Sequence, residues 1–153
     1  PTSLAPDGES LNYQQIDEIV KVKEKLKRLA QINDEFLETC SKYAESKELD
    51  ARLHVTDATI EIDCFGQMAK ADCRFVRTQQ GDLAAEYVFN ITQGESRVEV
   101  WRCYVTATGR LAQDPTALYT FCDYNNAIIA RHICGPVLLG ALNSKVFAAT
   151  DSE

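Results

Sequence analysis

The stretch from Tyr13 to Glu48 constrains this chain most, because it holds no glycine or proline and its apolar residues return every three and four positions. With Ile19 at heptad position a, that position falls on Ile19, Leu26, Asn33 and Cys40, and position d falls on Val22, Leu29, Phe36 and Tyr43. A 3.5-residue period keeps one seam of a helix turned toward a neighbour. Ile16, Ala30, Leu37 and Ala44 lie beside the seam at position e and widen the apolar stripe. Asn12 followed three residues later by Gln15 reads as a capping box at the start of the helix. Asp17/Lys21, Glu24/Arg28 and Glu38/Lys42 are i,i+4 pairs in the favourable order on the outer face. The pattern predicts one helix over residues 13–48, preceded by a flexible tail over 1–12 and followed by a small α+β domain over 49–153.

Length turns that helix into an expectation about assembly. About 36 residues at 1.5 Å each span roughly 54 Å. A domain of about 100 residues, with a radius of gyration near 13 Å, is far shorter than that. An unbroken helix therefore overhangs its own domain and carries Ile16, Ile19, Val20, Val22 and Leu26 out with it. Another chain is the simplest cover for that stripe. The expected oligomer interface is the seam: Ile19, Val22, Leu26, Leu29, Asn33, Phe36, Cys40 and Tyr43. Asn33 is the single polar a position, of the kind that fixes register in helical oligomers. The alternative is a break near Gln31–Asp34 that folds the helix back on itself as a hairpin.

From Ala58 the apolar period changes to two. Ile60, Ile62 and Cys64 alternate with polar residues, a turn follows at Gly66-Gln67, and Ala71, Cys73 and Phe75 return. That turn sets Ile62 opposite Ala71, Ile60 opposite Cys73 and Asp63 opposite Lys70. Turns at Gln79–Asp82 and Gln93–Ser96 continue an antiparallel meander of four strands as far as about Thr108. A second, mixed face carries Phe65, Val76, Val88, Trp101 and Val105. Asp114-Pro115 then reads as the start of a helix whose stripe is Leu118, Phe121, Cys122, Asn125, Ile128, Ile129, His132 and Ile133, ended by Gly135-Pro136. Residues 137–149 are apolar and suit a short helix or an edge strand. Strands followed by a helix on one sheet face make the fold class α+β. By the order of its elements over residues 13–140, the chain resembles coiled-coil proteins that end in a small RWD-type domain, such as certain kinetochore subunits. That resemblance implies a scaffold role through protein–protein contacts.

Composition excludes several functions. The formal net charge is −7, a poor match to nucleic acid, whose phosphates demand a basic footprint. No apolar run approaches the length of a membrane span. Six cysteines lie inside apolar patterns and form no C-x-x-C pair. Buried, reduced thiols in an intracellular protein, cytoplasmic or nuclear, are expected. His54 and His132 have no metal-ligand spacing, and no phosphate, dinucleotide or serine-hydrolase motif occurs. No enzyme activity and no cofactor is expected. Arg97, Trp101 and Arg102 share one strand and are the candidate partner-docking residues, since Arg and Trp are favoured at interface hot spots. The leading expectation is an assembly module whose helix joins another protein chain. Two alternatives stand beside it. One is a small acidic antagonist that blocks a partner enzyme. The other is a ligand or enzymatic pocket between sheet and C-terminal helix that uses His54, Tyr87, Tyr104 or His132.

Overall fold

A computed structural model describes residues 11–117 and 119–147. Most of the predicted tail, as well as Leu118 and residues 148 and 149, lies outside the described residues. The first helix, α1, runs unbroken over Tyr13–Lys42, without the hairpin break near Gln31–Asp34. The capping box closes as expected. The Asn12 side chain accepts from the Gln15 N–H at 2.8 Å, and the Gln15 side chain accepts from the Asn12 N–H at 3.0 Å.

The helix ends about six residues sooner than its apolar period. Tyr43 leaves helical geometry, and β1 (Glu45–Ser46) pairs with β2 (Ala51–Arg52) in a small hairpin. Ala44 still continues the helical stripe into the core, so periodicity alone does not mark the exit.

The sheet has seven strands among the described residues, in meander order: β3 (His54–Thr56), β4 (Thr59–Cys64), β5 (Gln67–Arg77), β6 (Leu83–Gln93), β7 (Ser96–Thr106), β8 (Arg110–Ala112) and β9 (Cys122–Asp123). The four expected strands are β4 to β7. The other three are only two or three residues long, too short for an alternation to register. Among them β3 overlaps residues 53–55, where the connector after the helix reads as the start of a strand. The sheet is antiparallel throughout, and the first hairpin is tighter than expected. Ile62 faces Ala69, Ile60 faces Ala71 and Asp63 faces Met68, two residues from the expected register. Phe65 takes a left-handed φ of 56° beside Gly66 at 93°, so these two residues alone make the turn. An Asp63 carboxylate oxygen accepts from the Gly66 N–H at 3.1 Å and holds it. A shift of two keeps every side chain on its predicted face.

A bulge between Phe89 and Asn90 changes the parity of β7. Val98 and Val100 are buried before it. Beyond it Trp101 stands opposite Phe89, and Cys103 and Val105 are buried. Val105 and Trp101 therefore pack with the core and do not join the second face.

The expected helix from Asp114 to Ile133 is helical only from Ile129 onward, and the described residues before that form a turn, irregular backbone and β9. Asp114 accepts from the Thr116 N–H at 2.9 Å and from its hydroxyl at 2.8 Å, which closes a local turn only. Helix α2 comes later, over Ile129–Leu142, and runs through Pro136. Gly135 lacks the Cβ that would crowd the proline ring, and the buried face of Ile129, Ile133, Cys134, Val137 and Ala141 offsets the missing hydrogen bond. A 3₁₀ turn at Lys145–Phe147 follows. One core joins Phe36, Leu37 and Cys40 of α1, the buried face of α2, and the inward residues of β4 to β7, among them Ile60, Ile62, Tyr87, Phe89 and Ile91.

Candidate functional site

Burial divides α1 into two parts. From Leu29 onward its stripe lies in the chain's own core, with Leu29, Asn33, Phe36, Leu37 and Cys40 buried. Before that point the same stripe has little cover. Ile16 is 44% exposed, Ile19 45% and Val20 48%, while Val22 and Leu26 are half-buried. The overhang from Tyr13 to Arg28 extends about 24 Å. Of the eight expected interface residues, Leu29, Asn33, Phe36 and Cys40 are thus occupied within the subunit. Tyr43 is partly exposed where the helix ends, with Lys42 above its ring. Ile19, Val22 and Leu26 are not buried by the described residues of the subunit.

Asn33 has a partner at home. Its side-chain oxygen accepts from the Tyr87 hydroxyl at 2.5 Å, and its amide nitrogen donates to the Cys73 sulfur at 3.5 Å. Burial, followed by the neighbouring Cys73, pushes the Tyr87 phenol well above its ordinary value, so the hydroxyl stays a donor. Polar a positions satisfied across a helix seam and polar positions satisfied by an underlying sheet look alike in sequence. A separation of 54 residues hid this partner.

The docking trio is also divided. Trp101 packs between Phe89 at 6.1 Å and Phe121 at 5.9 Å, against the core. Arg97 and Arg102 point to the opposite sheet face, where a recess of about 520 Å³ is lined by Lys70, Asp72, Arg74, Glu86, Asn90 and these two arginines, among others. At its centre is Glu86, 5% exposed. Arg74 donates to one Glu86 oxygen at 3.1 and 2.8 Å, while Arg102 at 3.3 Å and the Tyr104 hydroxyl at 3.0 Å reach the other. Arg102 also forms a two-point pair with Glu99 at 2.6 Å, which holds the Glu99 carboxyl below its ordinary value. Glu86 belongs to no motif in the sequence. Its signal lay in the register, which sets it opposite Arg74 on β5 and Tyr104 on β7.

The four residues named for a pocket between sheet and helix do not converge. His54 is on β3, Tyr87 points inward, Tyr104 belongs to the Glu86 network, and His132 stacks on Phe121 at 5.9 Å beside a shallow recess of about 380 Å³. Among the described residues no group of three or more acidic, His or Cys side chains is placed to hold a metal ion. All six cysteines are free thiols. Burial pushes Cys64 and Cys122 up to about 11 and Cys134 up to about 12, so these thiols stay protonated and unreactive at neutral pH. No helix among the described residues is long and apolar enough to cross a membrane. Comparison with protein-family models, with curated proteins and with solved structures gives no match.

Proposed function

We propose that this chain is a non-enzymatic assembly module, joined to a partner helix through the overhang of α1. Its α+β head offers Arg97 and Arg102, on the outer sheet face, as a second docking surface. The observation that carries this reading is the apolar stripe of Ile16, Ile19 and Val20, left open to water on a helix whose remaining length is anchored in the core. A helix of about 12–15 residues standing alone in water is marginal, and exposed apolar area on it mainly serves contact. The order of helix and head, which resembles RWD-tipped coiled-coil subunits, agrees with a scaffold role. So does the position of the arginines on a face that no element among the described residues covers.

Light scattering tests the reading. The wild-type chain is expected to run above monomer mass. The Ile19→Asp/Leu26→Asp variant is expected to fall to monomer mass with the sheet still folded. A wild-type chain that stays monomeric at all concentrations and keeps its full helicity on dilution would contradict it.

A further inference from the structure

We propose that the overhang is covered by the overhang of a second copy of this chain, laid antiparallel across a two-fold axis. The proposal rests on the assembly reading above and adds to it the partner and its direction. Continuity of the stripe sets the direction. The seam of Ile19, Val22 and Leu26 runs without a break into Leu29, Asn33 and Phe36, where the chain's own strands hold that side of the helix through Tyr87 and Cys73. A partner running parallel, each residue beside its counterpart, would collide with β6 two turns past Leu26, where Asn33 meets Tyr87. An antiparallel partner leaves the seam at the Tyr13 end, where nothing of this chain among the described residues obstructs it.

Length and charge agree with that direction. When Tyr13 of one copy lies beside Arg28 of the other, the two overhangs overlap along their whole length, about 24 Å. Ile19 then meets Val22 of the second copy, and Leu26 meets Gln15 and Ile16. Glu18 and Lys25 sit seven residues apart on one edge of the seam, and among the described residues neither makes an ion pair in its own chain. Reversal of the second helix puts each Glu18 beside a Lys25, twice over. The same patch serves both copies, so the contact closes at two subunits. With so short an overlap, near the lower size limit of specific interfaces, the dimer is reversible.

The test uses Gln15→Cys and Leu26→Cys variants of the full chain, oxidised mildly either singly or mixed in equal parts. The expected result is a disulfide-linked dimer in the mixture and none in either variant alone, because like positions are about 16 Å apart along the axis of an antiparallel pair. Charge exchange gives a readout without cysteine. Glu18→Lys is expected to weaken the dimer several-fold, and adding Lys25→Glu is expected to restore it. In a parallel pair Glu18 would face Lys23 instead, so the second substitution would restore nothing. Linkage of each cysteine variant to itself, or no rescue by Lys25→Glu, would overturn the antiparallel arrangement and leave assembly standing. A monomeric wild-type chain would overturn both.

Discussion

Asn33 shows how one side chain supports two readings until its partner is seen. As a lone polar residue in an apolar seam it suggests a register-setting contact between chains. In the fold it is the buried acceptor for Tyr87. Asn33→Ala removes that acceptor, leaves the Tyr87 hydroxyl buried without a partner and opens a small void. The expected loss is about 2–3 kcal/mol, read as a lower urea midpoint, with the solution mass unchanged. A changed mass at unchanged stability would return Asn33 to the intermolecular seam. The thiols set a second expectation. A folded-state pKa raised above its unfolded value contributes stability that is fully present below the unfolded value and is lost as pH rises through the folded one. Cys64 and Cys122, pushed up to about 11, and Cys134, pushed up to about 12, all act in that direction. The urea midpoint is therefore expected to fall as pH rises from the ordinary thiol value toward 11–12. Burial of five of the six cysteines was legible from the apolar pattern around them, while Cys73 is half-buried.

At the scale of elements, what was legible is what repeats. Helix α1 and strands β4 to β7 each carry several periods of an apolar pattern, and all are present. Punctuation misled where it serves a local purpose. Asp114-Pro115 closes a single turn, and Gly135-Pro136 passes through α2 because tertiary burial outweighs a weak local preference. The bulge at Phe89/Asn90 is marked in the sequence only by the adjacent Val100 and Trp101, where the apolar alternation changes phase. It moved Trp101 from candidate docking residue to core contact. Helix α2 reaches its close seat on β7 through Gly140, where any Cβ would overlap the Val100 carbonyl. Gly140→Ala is therefore expected to cost at least about 1–3 kcal/mol, even though alanine is the better helix former. A calorimetric melt checks this, and an unchanged or raised melting temperature would contradict the tight seat.

For the whole molecule, the α+β class and the overhanging helix were readable from sequence because they follow from length and period. The division of α1 into an anchored and an open part was not. A heptad seam reads the same whether a sheet or a second helix covers it, and only the fold shows that the change comes at Leu29. The open part holds the central claim: Ile16, Ile19, Val20, Val22 and Leu26 are packed by another molecule and not left to water. Amide hydrogen exchange across residues 16–26, followed as the chain is concentrated, tests it most directly. Protection of those amides is expected to rise with concentration while that of β6 and β7 stays constant. Protection that is the same at every concentration would contradict the claim.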